Sequence, residues 1–138
     1  MGEPLRHQLR VRYAECDFQG VVFNAHYLAY FDTSITELWR AAFGSYQAML
    51  DGGVDIVVAE AQVRFRAAAH FDDQLTLEIG IAGLGRTSIT SSHRIRRGEE
   101  LIAEGQLRHV MVDWPSLNKT EIPEWLRQGL APWTLSDS

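Results

Sequence analysis

The chain has 138 residues, of which 46% are hydrophobic, and its formal net charge at pH 7 is −5. This length and composition fit one domain with its own core, and the acidic balance excludes a broad electrostatic surface for nucleic acid or anionic lipid. Its apolar runs fall far short of the roughly 18 residues of a membrane-spanning helix, and its polar first residues predict no signal peptide, so we expect a cytoplasmic protein.

Cysteine and histidine usage limits the chemistry that the chain can perform. The single cysteine, Cys16, has no partner for an internal disulfide, and we expect a small buried thiol rather than a nucleophile. None of the five histidines is spaced from another histidine, a cysteine or a carboxylate as metal ligands typically are. We therefore predict no metal and no cofactor.

The N-terminal residues change from one periodicity to another. Residues 5–13 alternate between apolar and polar side chains, which predicts a strand with one buried face. A loop with the turn-forming residues Asp17 and Gly20 follows.

Two helices are predicted after this loop. Apolar residues recur at steps of three and four over residues 27–43, which indicates a helix of roughly five turns. Asn24 is its predicted N-cap and Gly44 its end. A shorter helix is predicted over residues 45–51, before two glycines.

Four strands and a closing helix complete the prediction. The strands cover residues 54–66, 74–82, 86–97 and 101–114. In the last strand the apolar phase shifts, which indicates a bulge near Gly105 or burial on both faces.

The C-terminal part is predicted to close the domain. A helix over residues 120–128 would have Pro123 in its first turn and Gly129 at its end. We expect a single domain over residues 1–131 and a loose tail over residues 132–138.

Five strands and one long helix predict an α+β domain with one antiparallel sheet. The sheet must curl around the helix to bury the large apolar side chains of the helix. A sheet of this kind retains an exposed edge, and a homodimer that continues the sheet across two chains would cover it.

Residues 13–32, YAECDFQGVVFNAHYLAYFD, resemble the signature of the 4-hydroxybenzoyl-CoA thioesterase-like proteins. The shared pattern is an Asp, two residues, a Gly, small apolar residues, an aromatic residue and a Tyr at the helix start. The resemblance extends to residues 71–75 and 86–88. It implies the hotdog fold, in which a curled antiparallel five-stranded sheet wraps a long central helix. It also implies an acyl-CoA thioesterase that acts on an acyl-CoA substrate, and it favours a dimer of dimers, that is, a homotetramer.

Asp17 is the candidate catalytic residue. Thioester hydrolysis needs a carboxylate that attacks the carbonyl or activates water, and a donor for the developing oxyanion. Asp17 lies in a loop just before a helix start, where unpaired N–H groups point outward. The resemblance implies that Asp17 acts as nucleophile or as general base. Without the resemblance, the commoner role of an Asp before a Gly is to hydrogen-bond its own turn.

The residues after Asp17 are candidates for holding the substrate. We expect the backbone N–H groups of Phe23, Asn24 and Ala25 to bind the thioester oxygen. The resemblance implies a common variant with His at the position of Asn24 and Asn at that of His26, and here the two are exchanged. Asn24 is a second donor candidate, and His26 is either a neutral hydrogen-bonding group or a half-buried residue beside a dimer contact. Tyr27 is expected to pack in the core with partial exposure to the acyl pocket.

An acidic protein that binds coenzyme A needs arginines near the pocket mouth. The stretch Arg86, Thr87 and Ser88 matches the part of the family that meets the phosphate or pantetheine portion, often across a subunit boundary. Four other arginines lie in pairs on predicted strands and are better interpreted as a solvated sheet face: Arg64, Arg66, Arg94 and Arg96.

Two other functions remain open from the sequence. The first is an acyl-thioester dehydratase or hydratase on the same fold, which would use His26 and Glu37. These residues lie about 16 Å apart along one helix and would meet only across subunits. The second is a protein that binds acyl-CoA without turnover.

Overall fold

A computed structural model describes residues 2–135 of the chain. The elements in chain order are β1 (Leu5–Arg10), α1 (His26–Phe43), α2 (Tyr46–Asp51), β2 (Val54–Phe65), β3 (Gln74–Leu84), β4 (Ser88–Arg97), β5 (Glu100–Asp113) and α3 (Glu124–Leu130). None of the helices in this described part is long and apolar enough to cross a membrane.

The strands form one antiparallel sheet in the order β1-β3-β4-β5-β2. The sheet curls around α1, which buries Phe31, Leu38 and Trp39 completely. The apolar stripe of the helix and the inward faces of the strands therefore form one core. The predicted hotdog arrangement is confirmed, and β1 and β2 are the edges of the sheet.

The phase shift in β5 lies at a different residue from the predicted one. The register between β4 and β5 shifts at Ile102, which has no partner residue in β4, and both Ile102 and Ala103 are buried. The bulge expected near Gly105 is therefore three residues earlier. Gly105 has another role, since a Cβ there would lie 3.0 Å from the Phe31 ring and overlap a backbone oxygen of β2.

The closing helix also differs from its prediction. It runs from Glu124 to Leu130, with Pro123 as N-cap, so Gly129 lies inside it rather than at its end. A side chain at Gly129 would overlap the ring of Phe43 at the end of α1. This glycine allows two helices to pack closely.

Residues 132–135 are held against the sheet rather than loose. The Leu135 N–H donates to Ile81 O at 2.9 Å, and Gly2 N–H donates to Thr134 O at 2.8 Å. This end of the chain thus differs from the predicted tail; residues 136–138 lie outside the described residues.

Candidate active site

The loop between β1 and α1 is folded tightly against the turn that precedes β3. Its Val22 N–H donates to Ala69 O at 2.8 Å, and Gly20 O accepts from Phe71 N–H at 3.4 Å. Gly20 has φ 77°, a left-handed conformation that glycine adopts without steric cost. The loop therefore reverses direction beside the N-terminus of α1.

Asp17 is exposed at the start of this reversal, and the two oxygens of its carboxylate differ in their hydrogen bonding. The Oδ1 atom accepts a hydrogen bond from Gln19 N–H at 2.8 Å, and Gly20 N–H donates to the Asp17 carbonyl at 3.0 Å. Within the described residues, Oδ2 has no hydrogen-bond partner. Asp17 therefore hydrogen-bonds its own turn, which is the commoner role of an Asp before a Gly, and it still presents one free carboxylate oxygen.

The first turn of α1 begins later than predicted. The helix starts at His26, its N-cap is Ala25, and that cap makes no side-chain hydrogen bond. The prediction that Asn24 is the N-cap is therefore wrong. Asn24 lies in the turn that enters the helix, with its side chain exposed.

Two backbone N–H groups at this helix start are available to a ligand. The Phe23 N–H already donates to Glu15 O at 2.9 Å, and the His26 N–H donates to Phe23 O at 2.9 Å. Among residues 2–135, the N–H groups of Asn24 and Ala25 find no acceptor. Of the three predicted oxyanion donors, Phe23 is thus occupied and the other two are free.

Asp17 lines an open pocket of ≈ 720 Å³. Four aromatic side chains form much of its wall: Tyr13, Phe18, Phe23 and Phe71. The rings of Tyr13 and Phe71 meet edge to face, with centroids 5.9 Å apart. An exposed apolar surface with a few polar groups is typical of a binding site.

Two further candidate residues take different places. His26 lines the pocket, whereas Tyr27 is only 3% exposed and packs its ring against Tyr30 and Phe65. Tyr27 is therefore a core residue and does not line the pocket. The expected pocket exposure of this tyrosine is not seen.

Cys16 lines the pocket too, although we expected a buried thiol. Partial burial, together with the carboxylates of Glu15 and Asp17, raises the pKa of this thiol. The protonated form is a poor nucleophile, so the raised pKa disfavours this thiol as the reactive group.

Glu15 is a residue of this region that the sequence did not single out. Its side chain is buried and accepts hydrogen bonds from Arg12 N–H at 2.8 Å and from the Tyr30 hydroxyl at 2.9 Å. Burial by itself would raise the pKa of Glu15, but these bonds and the Arg12 guanidinium outweigh it and lower the pKa. Glu15 is therefore a buried anion two residues before Asp17.

Arg86 lies far from Asp17 in the same chain. The strand β3 has 11 residues and spans about 35 Å; the Asp17 loop adjoins its first residue, and Arg86 follows its last. The Arg86 guanidinium is exposed and forms an ion pair with Glu121 at 2.9 Å. Thr87 O accepts from Met111 N–H at 2.7 Å, and Ser88 begins β4. One chain therefore does not bring this cluster to the pocket.

His26 and Glu37, the pair that a dehydratase would use, are also separated. Glu37 forms an ion pair at 3.3 Å with Arg40, one turn further along the same helix. His26 lines the pocket at the other end of the helix. Within residues 2–135, no group of three or more His, Cys, Asp or Glu residues could hold a metal ion.

The fold corresponds to that of known thioesterases. Residues 11–130 match the model of the thioesterase-like superfamily. The acyl-CoA thioester hydrolase YbgC of Escherichia coli O6:H1 is 32% identical over 120 residues, which cover 86% of this chain and 90% of that protein. The 1,4-dihydroxy-2-naphthoyl-CoA hydrolase of Thermosynechococcus vestitus is 26% identical over 141 residues, covering 97% and 95%.

A solved structure has the same fold. The crystal structure of a hypothetical protein from Aquifex aeolicus superposes with a TM-score of 0.87 at 25% identity, covering 92% of this chain and 99% of that one. The molecule is thus a hotdog-fold thioester hydrolase, as the sequence predicted. The chain belongs to the thioesterase-like superfamily.

Proposed function

We propose that the protein hydrolyses an acyl-CoA thioester to the free acid and coenzyme A, with Asp17 as the catalytic carboxylate. The observation that carries this proposal is the free Oδ2 atom of Asp17 in the same loop as two unpaired N–H groups, those of Asn24 and Ala25. The names of the relatives, which are CoA thioester hydrolases, support the choice of substrate class.

The two N–H groups suit the charge that develops during hydrolysis. When the carbonyl carbon becomes tetrahedral, its oxygen gains negative charge, and donors placed for that oxygen stabilise the transition state. The donors lie at the N-terminus of α1, an 18-residue helix, where the helix dipole also favours an anion. No side chain is needed as the oxyanion donor.

The carboxylate has two possible modes of action. As a nucleophile, Oδ2 forms a bond to the carbonyl carbon, the CoA thiolate leaves, and water hydrolyses the mixed anhydride. As a general base, Oδ2 takes a proton from the water that attacks the carbonyl. The free acid and CoA are the products of both, and no cofactor takes part because CoA belongs to the substrate.

A homodimer would complete the site. The edge strand β2 exposes Val57 and Val58, an apolar edge of the kind that a second strand covers. The strand begins at the Arg86 end of the sheet, because Ile56 pairs with Met111, whose N–H donates to Thr87 O. It ends at Phe65, whose ring packs against Tyr27 near the Asp17 loop.

A two-fold axis through the middle of β2 would pair this strand with its copy in antiparallel fashion. The Arg86 end of one protomer would then lie at the Asp17 end of the other. We propose that Arg86, Thr87 and Ser88 of one protomer hold the phosphate or pantetheine part of a CoA whose thioester lies at Asp17 of its partner. A dimer of dimers would repeat this arrangement.

The test of the catalytic assignment is Asp17→Asn. The amide keeps an oxygen that can accept from Gln19 N–H, so the turn is expected to persist, while the nucleophile or base is lost. We expect kcat in a thiol-release assay to fall by about 10²- to 10⁴-fold, with unchanged circular dichroism and elution volume.

The matched control is Asp72→Asn, which neutralises an exposed carboxylate in the adjoining turn. It should retain wild-type turnover. Near wild-type kcat in Asp17→Asn would exclude the mechanism. Tight binding of acyl-CoA by the wild type without release of thiol would instead support a non-catalytic binding protein.

A further inference from the structure

Among residues 2–135, Glu15 is the carboxylate residue with the least exposed surface, 8%. Removing a carboxylate from water is costly unless the charge is paired and hydrogen-bonded. A surface loop has no need of such a group for its solubility. Its position two residues before Asp17 therefore calls for a physical explanation.

The side chain of Glu15 joins the end of β1 to the central helix. Its Oε1 accepts from Arg12 N–H at 2.8 Å and from the Tyr30 hydroxyl at 2.9 Å, and its Oε2 accepts from the Arg12 guanidinium at 3.2 Å. Burial, and then the Glu15 carboxylate, raise the pKa of Tyr30, so its hydroxyl stays protonated and donates. The loop is thus fixed to the second turn of α1.

The backbone of Glu15 makes the contact that matters at the helix start. Its carbonyl accepts the Phe23 N–H at 2.9 Å. Phe23 immediately precedes Asn24 and Ala25, whose N–H groups are free. Glu15 therefore contacts both chain segments. Its side chain and neighbours fix the backbone that leads into Asp17, and its carbonyl fixes the backbone that leads into the N–H groups of Asn24 and Ala25.

We infer that Glu15 is a positioning residue, which acts through Tyr30 and Phe23 to fix the Asp17 carboxylate relative to the N–H groups of Asn24 and Ala25. This inference rests on the proposed function, since it concerns the same site. Glu15 does not line the pocket and is not expected to touch substrate. A displacement of about 1 Å between a catalytic group and the reacting carbon costs on the order of 10²-fold in rate.

The experiment separates positioning from stability through kcat and KM. Glu15→Gln keeps the size of the side chain and one carbonyl acceptor but removes the charge, and Tyr30→Phe removes a single hydrogen bond. We expect kcat for thiol release to fall about 10- to 100-fold in Glu15→Gln, with KM within about threefold of wild type. Tyr30→Phe should have a smaller effect, and this effect should shrink in the double variant because both changes act on one network.

The matched control is Glu78→Gln on the outer face of the sheet. The Glu78 side chain is 12% exposed, against 10% for Glu15, and it too accepts from arginines, at 3.0 Å from Arg6 and 3.1 Å from Arg96. Its substitution should lower the unfolding midpoint to a similar extent and leave kcat unchanged.

A kcat of Glu15→Gln within about twofold of wild type, in folded protein, would overturn the inference. So would an equal loss of kcat in Glu78→Gln. If Glu15→Gln does not fold, Tyr30→Phe decides instead, because it leaves the carboxylate and both Arg12 contacts in place; an unchanged kcat in this variant would overturn the inference. Failure of the proposed function has another result: Asp17→Asn would remain active whatever Glu15→Gln does.

Discussion

His93 and His109 carry imidazole rings in the core, between the sheet and α1. The Nδ1 atom of each is buried without a hydrogen-bond partner within the described residues. The His93 ring stacks on the Phe31 ring, with ring centroids 4.3 Å apart. Burial, with a contribution from His109, lowers the pKa of His93 to about 3. Burial also lowers the pKa of His109 to about 4, although Asp55 opposes this.

These two residues predict a loss of stability in mild acid. The unfolded chain binds protons on both histidines below pH about 6.5, while the folded chain does not until pH about 4 to 3. The free energy of unfolding should therefore be insensitive to these groups above pH about 7. It should fall by up to about 1.4 kcal/mol per histidine for each pH unit below 6.

Urea unfolding at pH 7, 6 and 5 measures this loss, mostly above the range in which carboxylates such as Glu15 titrate in the unfolded chain. His93→Phe keeps an aromatic ring against Phe31 and should remove about half of the slope between pH 6 and pH 5. An unchanged slope in His93→Phe would contradict the prediction.

At this scale the sequence predicted the turn residues, whose positions follow from neighbours in the chain. Asp17 and Gly20 were identifiable because a turn and a helix start lie within a few residues of each other. Glu15 was not, since its partner Tyr30 is 15 residues away and the contact exists only after the loop folds onto α1. The cap at Asn24 was wrong because its backbone continues a turn toward Ala25 rather than entering the helix directly.

The turn element that presents Asp17 depends on the backbone conformation of Gly20. This residue has φ 77°, and a Cβ there would meet no atom within 4 Å. A substitution to alanine therefore tests conformation without a steric clash. Gly83 in β3 is the matched control, because its added Cβ also meets nothing within 4 Å and its φ lies outside the left-handed region.

We predict that Gly20→Ala lowers the free energy of unfolding by about 1 kcal/mol, the usual cost of a left-handed alanine. It should lower kcat more than Gly83→Ala does, since relief of the strain moves Asp17 relative to the helix start. Urea unfolding and thiol release measure the two effects. Equal results for the two alanines would show that the conformation of Gly20 is not needed.

The elements themselves were predictable to within a few residues wherever periodicity was unbroken, as in α1, β3 and β4. The two elements that differ most do so for tertiary reasons. The phase of β5 depends on an extra residue at Ile102, and α3 continues through Gly129 because the ring of Phe43 packs there. A glycine has the same appearance in a sequence whether it ends a helix or allows a close contact.

In the whole molecule, the candidate site is divided between the two ends of one sheet. Asp17 lies at the end where β3 begins and Arg86 at the end where it finishes, about 35 Å along the strand. The sequence offered both residues as candidates, but only the resemblance, through its subunit boundary, pointed to their separation, because the order of strands does not state which ends meet. This separation is what requires a second protomer in the proposed arrangement.

The division between protomers predicts complementation between two defective variants. Arg86→Ala alone should raise KM for acyl-CoA by about tenfold and change KM little for an acyl-pantetheine thioester that lacks the phosphates. Asp17→Asn alone should be inactive. In a mixed dimer of the two variants, one site would contain both changes, whereas the other would combine an intact Asp17 with the intact Arg86 of its partner.

Co-expression of the two variants with different affinity tags yields the mixed dimer, and thiol release over a range of acyl-CoA concentrations measures its kcat and KM. We expect about half of the wild-type kcat, with wild-type KM, because one of two sites is complete. If Arg86 instead served Asp17 of its own chain, every active site in the mixed dimer would carry one defect, and KM would stay at the value of Arg86→Ala. A dimer of Asp17→Asn with wild-type protein is the control: both of its Arg86 residues are intact, so its one active site should have wild-type KM and about half of the wild-type kcat whichever protomer supplies the arginine.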